Sequence, residues 1–129
     1  MEIIRIKDLL LRTQIGFNEH ELGKKQDLLF NIEIYYSTAG EEISDNASDA
    51  LDYRTICKKI IAMVESSHFA LLEKVANDVA KLVLNIERVQ KVNIEVDKPH
   101  ALRFARSVSF SCSKSKMAGK ATTGFDESI

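Results

Sequence analysis

Cysteine, histidine, proline and glycine are all scarce in these 129 residues, and charge of one sign is in no surplus. The two cysteines, Cys57 and Cys112, lack metal-ligand spacing and read as small apolar fillers, which predicts reduced thiols in a cytoplasmic protein. His20, His68 and His100 are too scattered for a metal centre: no HxH or HxxxH pair occurs, so metal catalysis is set aside. The formal net charge of −1 gives no global field for nucleic acid or an anionic membrane; an anion must be held by a local cluster. A glycine-rich phosphate loop is missing, and nucleotide hydrolysis goes with it. Neither a signal-peptide stretch nor a membrane-spanning run is present, so a soluble, intracellular chain is expected. What remains is one-domain length with 45% hydrophobic residues, enough for a sizeable core.

That apolar material is patterned. Ile3–Ile6 and Leu9–Ile15 are rich in apolar and β-branched residues, with Gly16 as a stop. Leu28, Phe30, Ile32, Ile34 and Tyr36 alternate with Asn31 and Glu33, which predicts a long half-buried antiparallel strand. The polar stretches Gly16–Gln26 and Ser37–Ala50 read as loops. At Asp52, a candidate N-cap, the period changes: Ile56, Ile60, Met63 and Val64 share one helical face. A second helix starts near Leu71, with Leu72, Val75, Ala76, Val79, Leu82, Val83 and Ile86 as its apolar stripe. His68 and Phe69 fall in the connection. Period two returns in Val92, Ile94, Val96 and again in Val108, Phe110, Cys112. The order ββααββ predicts an α+β fold, a four-stranded antiparallel sheet with two helices on one face. Leu29 and Tyr35 on its other face point to burial there in an oligomer. Residues 1–113 form the expected domain; the Ser-, Lys- and Gly-rich residues 114–129 read as a disordered tail.

Four polar stretches can carry chemistry, and each has an ordinary reading beside it. Lys98-Pro99-His100 follows directly on the Val92–Val96 run, placing an amine and an imidazole at a strand end, where rigid backbone meets an open loop. Lysine is easily tuned by partial burial and makes a proton carrier; the ordinary reading is a surface lysine before a turn. Glu73, flanked by Leu71 and Leu72, either complements its helix dipole or accepts two parallel N–H bonds from an amidine-like edge, as pterins and guanines present. Tyr53 is either packing or a proton donor. Glu19, His20 and Glu21 read by default as exposed loop charge. Lys24, Lys25, Arg103 and Arg106, with His100, are the candidates for holding a polyphosphate, although Lys24 and Lys25 read first as solvated.

Taken together, Ile15-Gly16…Glu21…Gln26, Leu51-Asp52-Tyr53, Ala70-Leu71-Leu72-Glu73 and Val96-Asp97-Lys98-Pro99-His100-Ala101-Leu102-Arg103-Phe104-Ala105 resemble the dihydroneopterin aldolase family. The resemblance runs from about Ile4 to about Ser113. Lys98-Pro99-His100, where aldolases commonly carry Lys-Pro-Gly, is similar to the epimerase branch, as are Arg5-Ile6-Lys7, Leu11-Arg12-Thr13 and Tyr53-Arg54-Thr55. Arg106 stands where that branch more usually has an acidic residue. The resemblance implies a tunnelling fold whose sheets assemble into a barrel, as a homo-octamer or tetramer with sites at subunit interfaces. It implies retro-aldol chemistry without metal or organic cofactor on a pterin substrate, with no nucleic-acid or membrane partner. The activity implied is epimerisation at C2' of 7,8-dihydroneopterin triphosphate. The alternatives are an aldolase giving 6-hydroxymethyl-7,8-dihydropterin and glycolaldehyde for folate synthesis, or a non-catalytic pterin-binding scaffold. The catalytic positions matched are Lys98, Tyr53 and Glu21, the last expected to approach from a neighbouring subunit. Glu73 matches the pterin anchor beside Leu72, and Asp52 falls in the Tyr53 motif. His100 and Arg103 lie beyond these matches and are assigned to the triphosphate.

Overall fold

The computed structural model of the chain describes residues 1–116, and the alternation of apolar residues decides what faces the core. Strand β1 spans Glu2–Ile15, β2 Lys25–Tyr36, β3 His68–Phe69, β4 Val89–Pro99 and β5 Ser107–Ser115. Helix α1 is a single turn, Glu41–Ser44; α2 spans Tyr53–Glu65 and α3 Leu72–Leu84. The strands form one sheet in the order β3-β1-β2-β4-β5. Leu28, Phe30, Ile32, Ile34 and Tyr36 of β2, with Val92, Ile94 and Val96 of β4, are buried under Ile56, Ile60 and Val64 of α2 and Val75, Val79 and Val83 of α3. Each such side chain removed from water contributes about 1.5–3 kcal/mol before the entropy of ordering is set against it.

The sheet has five strands, where four were expected. His68 and Phe69, read as a connection, pair in parallel with Gln14 and Ile15 at the edge of β1. Two residues carry no periodicity, so nothing in the pattern announced them. The two runs at the start of the chain are one strand with a bulge. Ile4 and Ile6 pair opposite Ile34 and Ile32, whereas Leu9 and Leu11 pair opposite Phe30 and Leu28, so the register shifts between Ile6 and Leu9. The inward side chains change from even to odd numbers there, which an extra residue must accommodate. Asp8 supplies it at φ 53°, its N–H donating to Asn31 Oδ1 at 3.0 Å while Asn31 Nδ2 donates to the Asp8 carboxylate at 3.2 Å.

Two polar anchors tie the layers. The buried Thr13 hydroxyl lies 2.7 Å from the Val64 carbonyl and 2.9 Å from that of Ser67, sharing its proton over the C-terminal end of α2, where helical carbonyls lack partners. Arg88 donates to the Asp49 and Ser37 carbonyls and to Glu41, and its guanidinium lies over the Tyr36 ring, closing residues 37–51 onto the domain. At the other end, β5 continues through Lys114 and Ser115, which pair with Val92 and Lys91. The rest of the expected tail, residues 117–129, lies outside the described residues.

The helix-free face of the sheet carries charged and amide side chains as well as Leu29 and Tyr35. A hollow of about 620 Å³ there is lined by Arg5, Asn31, Glu33, Asn93 and Glu95 among others, with Arg5 Nε donating to Glu33 at 2.9 Å. None of the expected site residues reaches it.

Candidate active site

The site begins with a residue that has no side chain. Gly16 ends β1 at φ +119°, and its N–H donates to the Phe69 carbonyl at 2.9 Å, fixing the strand end against β3. A Cβ on Gly16 would land on the carboxyl group of Glu21, so only glycine leaves room there. The chain then turns through a short 3-10 segment, Glu19–Glu21, and delivers Glu21 into the protein, 9% exposed. Its default reading as exposed loop charge is therefore corrected. Asn18 donates to Glu21 Oε1 from its backbone N–H (3.3 Å) and from its side-chain amide (3.1 Å). Gln26 Nε2 donates to Glu21 Oε2 at 3.0 Å and to the Ile15 carbonyl at 2.7 Å, locking the carboxylate to β1.

Lys98 completes the arrangement. It extends the row Val92, Ile94, Val96 on β4, so its side chain emerges on the covered face at the end of the sheet. There its ammonium donates to Glu21 Oε2, and its side chain is only 14% exposed. The hydrogen bond from Lys98, then that from Gln26, outweigh desolvation and hold the Glu21 carboxyl down at about 2, from an ordinary 4.5. Glu21 meets Lys98 of its own chain, so this pair needs no neighbouring subunit to form. A half-buried amine beside a locked carboxylate at a strand end can relay a proton to and from a substrate hydroxyl.

Glu21 borders a cavity of about 270 Å³, which Gln26, His20, Lys24, Lys25 and His100 also line. Pro99 ends β4 opposite Ser107, and His100 turns the chain at φ 62°, its N–H bonded to the Arg106 carbonyl at 3.4 Å. That left-handed backbone is what a glycine adopts freely; a histidine accepts strain to put an imidazole at the cavity. Residues 4–113 match the dihydroneopterin aldolase (FolB) family.

The chain belongs to the dihydroneopterin aldolase family.

It is 50% identical over 109 residues to the dihydroneopterin triphosphate 2'-epimerase of Pseudomonas aeruginosa, spanning 84% of this chain and 89% of that protein. The enzyme of the same description from Escherichia coli K12 is 45% identical over 111 residues, spanning 86% and 92%. Among solved structures, the E. coli dihydroneopterin aldolase in complex with neopterin superposes with a TM-score of 0.83 at 33% identity, covering 88% of this chain and 99% of that one. The α+β fold read from the sequence is thus the dihydroneopterin aldolase fold, with one more strand than expected.

Of the residues matched by likeness to the dihydroneopterin aldolase family, the structure joins Glu21 and Lys98 directly; His100, assigned to the triphosphate apart from those matches, lines the cavity that Glu21 borders. Asp52 is the N-cap of α2, as read: its carboxylate accepts from the Thr55 N–H at 3.0 Å and the Thr55 hydroxyl at 2.7 Å, which lowers its pKa. Tyr53 follows as the first residue of α2, half exposed, and Leu72 and Glu73 open α3, with Glu73 exposed. Arg103 stacks over the Phe104 ring at 5.3 Å in an exposed loop. None of these five, Asp52, Tyr53, Leu72, Glu73 and Arg103, is hydrogen-bonded or ion-paired to Lys98 or Glu21 within the described residues. Sequence reasoning did not find Asn18 and Gln26 as the groups that fix Glu21. Gln26 stood in the first motif, but an amide's partners are set by the turn between residues 16 and 26, which has no period to read.

Proposed function

We propose that this protein epimerises 7,8-dihydroneopterin triphosphate at C2', giving dihydromonapterin triphosphate. The observation that carries the reading is the ion pair of buried Glu21 with half-buried Lys98 beside a basic cavity, in a chain 45–50% identical to proteins named for that reaction. The substrate supplies its own electron sink. Removing the proton from the C2' hydroxyl lets the C1'–C2' bond break, forming an aldehyde at C2' while the electron pair moves through C1' into the N5=C6 imine. The aldehyde turns over, C1' attacks its other face, the imine re-forms and the alkoxide regains a proton. Lys98, held by Glu21, carries that hydroxyl proton in both directions. Tyr53 serves the reacting carbon, and Glu73, with Leu72 beside it, receives the pterin's amidine edge through two parallel N–H bonds. Asp52 sets the frame of α2 from which Tyr53 projects, and His100 and Arg103 lie toward the phosphate end.

The single chain offers only a small part of such a site. Its cavity of about 270 Å³ is below the roughly 300–1,000 Å³ usual for drug-sized ligands, and Tyr53, Leu71 and Glu73 stand exposed at the starts of two helices. A homo-oligomer, octamer or tetramer, with sites between subunits supplies the missing walls. An aldolase shares the first bond cleavage and differs in protonating C1', so some hydroxymethyl product is compatible with the same residues; a purely binding scaffold leaves the Glu21–Lys98 pair without a use.

Running the reaction in deuterium oxide tests the mechanism. The epimer should form with no deuterium on carbon, because only an oxygen-bound proton is exchanged. Deuterium at C2' would contradict the retro-aldol path, and a hydroxymethyl product carrying one deuterium at C1' would mark aldolase turnover.

A further inference from the structure

The cavity beside the Glu21–Lys98 pair is lined by cationic and imidazole groups from two separate stretches of chain, His20, Lys24 and Lys25 before β2 and His100 after β4. Its one acid is Glu21, and that charge is neutralised by Lys98. Lys24 and Lys25 form no ion pair among the described residues, so their ammonium groups are not already spoken for. The backbone around them is fixed. The Lys24 N–H donates to the Glu21 carbonyl at 3.2 Å, and the Lys25 carbonyl accepts from Arg12 at 3.1 Å. Lys25 pairs opposite Gln14 as the first residue of β2.

Across the opening, the left-handed turn at His100 carries the imidazole to the same hollow. Arg103 and Arg106 do not line it. A rigid frame with flexible cationic ends, next to the group that handles the C2' hydroxyl, is suited to a linear polyanion attached one carbon further along.

We propose that His20, Lys24, Lys25 and His100 form an oligophosphate subsite that selects the triphosphorylated over the unphosphorylated substrate. The assignment rests on the function proposed above and deepens it: the residues before β2, which read first as solvated surface, set substrate class, and Arg103 is secondary. Surface lysines alone would give a weak, salt-screened attraction; convergence on one cavity from two loops makes a site.

The test uses the full chain and two readouts. Inorganic tripolyphosphate is titrated into wild-type protein and into K24Q/K25Q by calorimetry, with no turnover required. The ratio of kcat/KM for dihydroneopterin triphosphate to that for dihydroneopterin is then compared among wild type, K24Q/K25Q, H100A and R103A. Tripolyphosphate should bind about tenfold or more weakly to K24Q/K25Q, the size of losing one or two charge-assisted contacts, and the kcat/KM ratio should fall by a similar factor, mainly through KM. Absence of tripolyphosphate binding to wild type, or a ratio unmoved in K24Q/K25Q but lowered in R103A, overturns the assignment. Should wild type turn over neither pterin yet bind tripolyphosphate through the two lysines, the subsite stands and the proposed reaction falls. K24E, which reverses charge without touching packing, repeats the titration if the double variant folds poorly.

Discussion

At Gly16 a single hydrogen atom decides whether the site exists. Replacing it with alanine puts a Cβ where the Glu21 carboxyl sits and a side chain on a φ of +119°, costing roughly 1–3 kcal/mol in backbone strain alone. G16A should therefore melt lower and lose activity together; a variant with parental Tm and turnover would refute the close packing of Gly16 on Glu21. K98A should lower kcat by about 100-fold or more on both the phosphorylated and the free substrate, as expected for removing a proton carrier. The Glu21 carboxyl titrates at about 2 in the folded chain and 4.5 in the ordinary case, so its ionised form is favoured by folding. Its contribution to stability is full above pH 4.5 and disappears as pH falls toward about 2. The difference in unfolding free energy between parent and E21Q, measured by denaturant titration, should be largest at neutral pH and shrink through that acid window. His100 at φ 62° points the opposite way: H100G should gain about 1 kcal/mol of stability by relieving the left-handed strain. How much of this was legible follows the same lines. Lys98 was visible because a polar residue ended an apolar alternation. Its partner Glu21 was reached only through the family resemblance, and their pairing not at all, because 77 residues separate them and loop acids read as solvated.

Among the elements, periodicity was a good guide wherever an element is longer than a few residues. β2, α2, α3 and β4 show their faces in their apolar spacing, and Asp52 caps α2 as its position implied. The pattern failed where geometry is local or shared. The Asp8 bulge breaks the alternation of β1 into two runs, and β3 is too short to have a period. The helical turns Glu41–Ser44 and Ala47–Asp49 lie in a stretch whose polar composition suits a loop equally well. Thr13 shows how a polar residue inside an apolar strand joins elements. T13V should cost about 1–3 kcal/mol, because it leaves the Val64 and Ser67 carbonyls facing a methyl group. Thermal unfolding checks it, and an unchanged midpoint would mean that the hydroxyl ties nothing.

On the scale of the whole molecule, the proposed assembly, with sites between subunits, makes a testable demand. If Tyr53 and Lys98 of one reaction centre come from different chains, a mixture of K98A and Y53A subunits, inactive separately, recovers part of the parental activity after co-expression. Recovery absent despite mixed assemblies seen by native mass spectrometry would put both residues in one chain. The identity of the product tests the central claim most directly. Purified protein is incubated with dihydroneopterin triphosphate and, separately, with dihydroneopterin; products are dephosphorylated, oxidised and resolved so that neopterin, monapterin and hydroxymethylpterin separate. Monapterin as the main product from the triphosphate is what the Glu21–Lys98 pair beside its basic cavity predicts. Hydroxymethylpterin from the free substrate, with no monapterin from either, would contradict it and make the chain an aldolase.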